Sequence, residues 1–155
     1  MKKTLNYGII LKDYNIIGES FLFNIGQNVS EQTANGLSPI VLAFIGDAVY
    51  SLYVRERLAI EHDYKSGELN KLAVSRVRAS AQAERAVKIQ EILTEDELAV
   101  FKRARNAKKG TKAKSASVSE YNLSTGFEAL IGYLYITGKT ERLNEILHYG
   151  EEDEG

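Results

Sequence analysis

The stretch Leu37–Arg57, LSPIVLAFIGDAVYSLYVRER, constrains this chain more than any other, because nearly every position in its middle is apolar. Ser38 offers a capping hydroxyl, and Pro39 suits a first helical turn, where its missing N–H leaves no bond unmade. The run beyond is apolar around most of a helical circumference, the pattern of a helix covered on more than one side. Between Ile40 and Val54 the single charge is Asp47. A carboxylate in such an element needs a cationic partner, a metal or a route to water, because stripping it of water uncompensated is expensive. Gly46 beside it, at about 1 kcal/mol of helix propensity, leaves room for a second backbone or a ligand to approach. The same pair of residues also suits a kink at Gly46 with Asp47 capping a second helix, and both readings stand at this level.

A second stretch has the same character: Ser124-Thr-Gly-Phe-Glu-Ala-Leu-Ile-Gly-Tyr-Leu-Tyr-Ile136, with small residues at Gly126, Ala129 and Gly132 and one acid, Glu128. Two apolar helices that each carry one carboxylate beside small residues suggest carboxylates converging on something positive. Magnesium fits such a pair, since it takes one or two carboxylates and keeps waters and substrate phosphates as its other ligands. A covered helix also leaves surplus apolar surface. Part of it can pack on the Glu128 helix, while the remainder, including some of Val41, Phe44, Ala48 and Tyr50, predicts a two-fold partner.

Composition removes most other chemistries. A chain of 155 residues with 44% hydrophobic and 26% charged content has the size and balance of one soluble globular domain. It holds no cysteine, which excludes thiol nucleophiles, disulfides and Cys-based zinc sites. Its two histidines, His62 and His148, sit in no ligand spacing and leave a Ser-His-Asp hydrolase unattractive. The apolar run Tyr7–Leu11 behind Met1-Lys2-Lys3 is too short for a signal peptide. Asp47 near the centre of Leu37–Val54 would cost about 2.5–3.5 kcal/mol in a bilayer, so no membrane association and a cytoplasmic location are expected. Net charge is −1, but it is unevenly spread: Lys102–Lys114 carries seven basic residues and no acid, whereas Glu151–Glu154 is wholly acidic.

Taken in order, residues 1–36 read as an extension of unknown role. Its short clusters Ile9–Leu11, Ile16–Ile17 and Phe21–Phe23 read as strand-like or irregular, and a polar linker follows over 28–36. A catalytic domain is expected over 37–149 and an acidic tail over 150–155. The Asp47 helix should end near Ala59. A helical period then runs from Ser66 to about Leu93 with a break near Ala79-Ser80, and Arg76 and Arg78 lie off its apolar stripe, where a solvated face is the plain reading. Thr94–Glu97 and Ser117–Glu120 are capping boxes. The second box predicts a short helix ahead of the Glu128 helix, Gly138 a stop, and Thr140–Tyr149 a final amphipathic helix. No segment alternates as a core strand.

Lys and Arg supply sequence-independent affinity for nucleic acid by neutralising phosphates. The basic run, read as a flexible loop without an apolar anchor, together with two isolated carboxylates, points to metal-assisted phosphodiester hydrolysis. The candidate nucleic-acid contacts are Arg76, Arg78, Lys102, Arg103, Arg105, Asn106, Lys108, Lys109, Lys112 and Lys114.

Three motifs in register carry a resemblance: Leu42-Ala-Phe-Ile-Gly-Asp-Ala-Val-Tyr50, Lys102-Arg-Ala-Arg-Asn-Ala-Lys108 and Ser124-Thr-Gly-Phe-Glu-Ala-Leu-Ile-Gly-Tyr133. Over Leu37 to Leu147 the chain resembles the Mini-III ribonucleases, compact members of the ribonuclease III family without the separate double-stranded-RNA-binding domain. The resemblance implies an all-α, ribonuclease III-type homodimer that needs Mg2+ and no small-molecule cofactor. It further implies cleavage of double-stranded RNA, with precursor large-subunit ribosomal RNA as the usual substrate. Asp47 and Glu128 then match the family's catalytic and metal-binding acids. Larger relatives carry further acids where this chain has Ile40, Ala43 and Thr125, an absence usual in Mini-III. Ser51, Ala104 and Asn122 also depart from residues common in the motifs. A non-catalytic RNA-binding or ribosome-assembly module of the same fold is the alternative, and it leaves the two acids without a purpose.

Overall fold

Two long helices carry the core, and the reason they can is the small residues between them. A computed structural model describes residues 28–61, 63–110 and 115–151. Among these, the chain forms α1 (Glu31–Gly36), α2 (Pro39–Glu61), α3 (Ser66–Val77), α4 (Ala79–Ile89), α5 (Glu95–Arg105), α6 (Val118–Ile136) and α7 (Thr140–His148), with no strand. The expected all-helical class is therefore observed. The apolar clusters of residues 1–27 lie outside the described residues.

α6 is the hub: α2, α4 and α5 pack along it, and α7 folds back on its C-terminal end. Its side chains from Phe127 to Leu134 are buried on all sides apart from Glu128, which is why no single apolar stripe is visible in its sequence. α2 and α6 meet backbone to backbone. A Cβ added at Gly46 would lie 1.6 Å from the Glu128 carbonyl oxygen, and one added at Gly132 would lie 2.0 Å from the Leu42 carbonyl oxygen. Only hydrogen fits at either position. The contact is reciprocal, one turn of α2 (Leu42 to Gly46) lying against one turn of α6 (Glu128 to Gly132), and α2 continues through Gly46 as one helix, so Asp47 caps no second one.

The ends of the helices follow local chemistry. Thr94 and Glu97 form the expected capping box, and Glu97 also holds Arg142 of α7 through two 2.8 Å bonds, Nε to Oε1 and Nη2 to Oε2. Burial pushes the Glu97 carboxyl up, but these bonds outweigh it and hold the group below the usual glutamate range. Ser117 and Glu120 cap α6. Here the structure differs from expectation: no short helix precedes the Glu128 helix, because α6 runs unbroken from Val118 to Ile136. The predicted break near Ala79 falls at Arg78, which is extended (ψ 152°) and separates α3 from α4. Gly138, at φ +70°, ends the turn after α6 in a conformation that L side chains rarely adopt.

Residues 28–36 are not a linker. Ser30 caps α1 through Thr33, Ala34 is fully buried, and Val29 N–H donates to the Ile136 carbonyl at 2.9 Å. The Arg103 Nη1 donates to the Asn35 carbonyl at 2.8 Å, and Lys139 pairs with Glu31 at 2.6 Å. The polar composition of this segment reflects its outer face, while one alanine suffices to dock it.

The helix contact yields a prediction. Overpacking a core usually costs about 1–3 kcal/mol when side chains can shift. At Gly132 the obstacle is backbone, so Gly132→Ala should lower unfolding free energy by roughly 3 kcal/mol or more in urea titrations, whereas Gly67→Ala, with nothing within 4 Å, should be close to neutral or stabilising.

Candidate active site

The α2–α6 contact dictates where the two acids stand. Glu128 contributes its carbonyl oxygen to the Gly46 contact, so its side chain emerges beside the next residue of α2, Asp47. The carboxylates are close enough that Asp47 raises the proton affinity of Glu128. Their environments differ. Asp47 is exposed and Glu128 half-buried, and burial first, then the Asp47 charge, pushes the Glu128 carboxyl up to about 8. Of the three ways a carboxylate can sit in such a helix, Asp47 has the route to water, and the acid short of solvent is Glu128. Among the described residues no group of three or more His, Cys, Asp or Glu side chains gathers to hold a metal, so the acidic cluster is this pair.

Two further side chains face Glu128. Gln82 of α4 is 1% exposed. It donates from Nε2 to the Val77 carbonyl at 2.9 Å and hydrogen-bonds to the Glu128 carboxylate, partly offsetting the rise in its pKa. Its Oε1 is buried without a partner among the described residues. Sequence reading passed over Gln82. The available signal was its spacing: with Ala86 and Ile89 it occupies i, i+4 and i+7, a core stripe in which an amide is out of place unless a polar group meets it.

The other is Lys109. The basic segment was expected to be a flexible loop without an apolar anchor, yet Lys109 folds inward. Its Nζ donates to Asn122 Oδ1 at 2.6 Å and lies 5.2 Å from the centre of the Tyr121 ring. Burial depresses its proton affinity, and the Glu128 charge works against that depression. The remaining predicted RNA contacts divide. Lys102, Arg103 and Arg105 belong to the last turn of α5, where they complement the negative end of the helix dipole. Arg103 is engaged with α1 as described, and Asn106, the C-cap residue, accepts from Arg105 Nε at 3.1 Å. Lys108, Arg76 and Arg78 are exposed. Lys112 and Lys114 lie outside the described residues.

A helical domain hinged on two close-packed helices, with one acid from each meeting at their contact, defines a class. The family model described as "Ribonuclease III domain" matches residues 40–139, and the chain belongs to the ribonuclease III family. Within it, the chain belongs with the Mini-ribonuclease 3 proteins. It is 49% identical over 111 residues to "Mini-ribonuclease 3" of Thermoanaerobacter sp., covering 72% of this chain and 78% of that protein. It is 42% identical over 124 residues to the protein of that name from Clostridium tetani, covering 79% and 82%. A crystal structure of a Fusobacterium nucleatum protein superposes with a TM-score of 0.68 at 35% identity, over 72% of this chain and 90% of that one.

The raised Glu128 carboxyl has a measurable consequence. The folded chain keeps a proton on Glu128 up to about pH 8, while an unfolded glutamate releases it near 4.5. Folding therefore binds a proton in that window, and the Glu128 contribution to stability is full below pH 4.5 and lost as pH rises through 8. In metal-free buffer, Glu128→Gln should be more stable than wild type at pH 8 and should lose that advantage towards pH 4.5, as read by denaturant midpoints at each pH.

Proposed function

We propose that this ribonuclease III-family endoribonuclease hydrolyses double-stranded RNA with Asp47 and Glu128 as its acid pair, Mg2+ as its cofactor and a second copy of itself as its partner. The observation that carries the proposal is the meeting of these two carboxylates at the α2–α6 contact, one solvated and one held out of water. A carboxylate short of solvent beside a second negative charge is costly to ionise unless a cation joins the two. The donors at hand are all hard oxygens, two carboxylates and the unpartnered Oε1 of Gln82, which suits magnesium and not a soft metal. Bound by Asp47 and Glu128, magnesium would supply an activated water and neutralise charge on the scissile phosphate. Gln82 holds the Glu128 carboxylate in place, and the inward-turned Lys109 offers a cation beside it for a phosphate oxygen.

Duplex RNA is the substrate the cationic groups suit. Its deep, narrow major groove hides the bases, so binding rests on shape, 2′-hydroxyls and phosphates. The last turn of α5 and the segment after it present such groups together. Precursor large-subunit ribosomal RNA, processed in the cytoplasm, is the substrate that the resemblance implies. Asp47→Asn should abolish cleavage of long duplex RNA in magnesium while leaving the fold intact, since the side chain is exposed and its loss relieves Glu128. Gel analysis with and without magnesium checks this, and near-normal cutting by the mutant would sink the assignment.

The partner follows from α2. Tyr50, expected on the partner face, is only 3% exposed and packs edge-on against Phe127 at 5.0 Å within its own chain. The surface left uncovered is a narrower stripe of Val41 (45% exposed), Phe44 (80%), Ala48 and Leu52 (47%). These residues stand at i, i+3, i+7 and i+11, one face of the helix. A groove of about 290 Å³ lined by Leu58, Ala59, Leu69 and Ala73 continues it. A two-fold copy seated there would bury both and, because Asp47 borders the stripe, would set two sites in a fixed relation. Phe44→Asp should convert a dimer to monomer in sedimentation at micromolar concentration and reduce duplex cleavage. A wild-type monomer that still cuts both strands would overturn this account.

A further inference from the structure

Gln82 is a polar residue that the packing of α4 does not explain. It is 1% exposed, on a helix whose other buried members, Ala83, Ala86 and Ile89, are apolar. What surrounds the amide identifies its two ends. The Val77 carbonyl can only accept, so the end lying 2.9 Å from it is the NH2 group. That carbonyl closes α3 where Arg78 turns the chain out of helical geometry, and the Gln82 side chain supplies the donor that a continuous helix would have offered it. The amide also bonds the Glu128 carboxylate and lowers its proton affinity, the mark of a donor. Both hydrogens of the NH2 group are then committed, one to a carbonyl and one to an acid. On the same carbon, Oε1 is buried with no partner among the described residues. Buried amide oxygens are rarely left so, and this one marks a place for a donor beside Glu128.

The groups gathered at Glu128 do not supply that donor. Asp47 is a second acid, and Lys109 turns its ammonium to Asn122 Oδ1 at 2.6 Å and to the face of the Tyr121 ring. A ligand of the acid pair can supply it. Among the described residues no third His, Cys, Asp or Glu joins the two carboxylates, and magnesium held by one or two carboxylates keeps several waters. A water on the ion has its lone pair committed to the metal and acts towards the protein as a donor, which is the partner that Oε1 lacks. Groups behind the direct ligands orient them and tune the affinity of such sites.

We propose that Gln82 is the third protein group of the magnesium site, its Oε1 accepting from a water on the ion while its Nε2 orients the Glu128 carboxylate. The inference rests on the reading of Asp47 and Glu128 as the magnesium ligands. Gln82 is thereby a positioning residue. Buried as it is, it is out of reach of RNA, so it acts on metal affinity and turnover and not on duplex binding.

Two substitutions separate this role from a merely structural one. Gln82→Met keeps the length of the side chain and removes both polar ends. Gln82→Glu keeps an oxygen acceptor but sets a carboxylate against the Val77 carbonyl. A residue that only closes the end of α3 would make both variants melt earlier in metal-free buffer, Gln82→Glu the more, with metal affinity unchanged in each. A member of the site gives a different order in metal binding. Mn2+, which like magnesium suits oxygen ligands, is titrated without RNA, and the paramagnetic resonance signal of the free ion reads the unbound fraction. Gln82→Met should bind Mn2+ about tenfold or more weakly than wild type, and Gln82→Glu at least as tightly as wild type. In steady-state cleavage of duplex RNA with magnesium, Gln82→Met should lower kcat by about tenfold or more and leave KM unchanged. Wild-type Mn2+ affinity in Gln82→Met, or weaker binding by Gln82→Glu than by wild type, would overturn the proposal, and the second result decides alone should Gln82→Met not fold. Asp47→Asn keeps the two readings apart. If it binds Mn2+ as well as wild type, the acid pair is not the metal site and the parent reading falls. If it loses Mn2+ while Gln82→Met does not, only the part given to Gln82 falls.

Discussion

The close approach of α2 and α6 at Gly46 and Gly132 is the interaction on which the rest of the structure depends. Two helix backbones normally stand about 8–10 Å apart because side chains intervene. Here each helix presents hydrogen where the other presents a carbonyl oxygen. The consequence is positional: with Glu128 against Gly46, residue 47 cannot be far from the Glu128 side chain. Bringing two acids together is unfavourable in itself, and flexible packing would let them drift apart. A backbone contact between rigid helices prevents that drift. The fold therefore stores an electrostatic conflict at a fixed place, the conflict that the proposed magnesium would relieve.

Burial divides that conflict unequally. Asp47 borders solvent, so the cost of proximity appears on Glu128, whose carboxyl moves towards neutrality. Gln82 and Lys109 moderate the shift, each from a different element, α4 and the segment after α5. With Asp47 of α2, three separate parts of the chain thus send a polar group to the same carboxylate. A core stripe interrupted by a glutamine and a lysine turned away from water make little sense separately. Around one half-buried acid they are what satisfaction of a buried polar group requires.

Much of this was legible in sequence. The capping boxes at Thr94 and Ser117 marked two helix starts because their chemistry is local, although the second opens α6 itself and not a short helix before it, and the isolation of Asp47 and Glu128 in apolar runs announced the acids. What escaped depended on contacts between distant segments. An all-round apolar helix has no periodicity to tell which face meets which neighbour, so neither the burial of Tyr50 nor the exposure of Asp47 could be read from it. Lys109 looked like any lysine of a basic run, since nothing local marks the one that finds Asn122 and Tyr121. The segment 28–36 was misread because composition reports an average over faces, and a six-residue helix docks through one buried alanine.

The distribution of charge resolves an apparent contradiction between a net charge of −1 and a polyanionic substrate. Long-range attraction of nucleic acid depends on local potential, since charges beyond about 10 Å are screened at ordinary ionic strength. α5 separates its own charges by sign, with Glu95, Asp96 and Glu97 in the first turn and Lys102, Arg103 and Arg105 in the last. The helix dipole favours both ends of that arrangement. The acids at the N-terminal end serve structure, Glu97 fastening α7 through Arg142, while the cations at the other end lead straight to Lys108 and Lys109. The basic end of α5 leads into Lys109, which reaches Asn122 and Tyr121 of α6 and feels the charge of Glu128. The same helix that stabilises the fold by its own electrostatics also aims the positive field at the site, and neither role adds to the net charge.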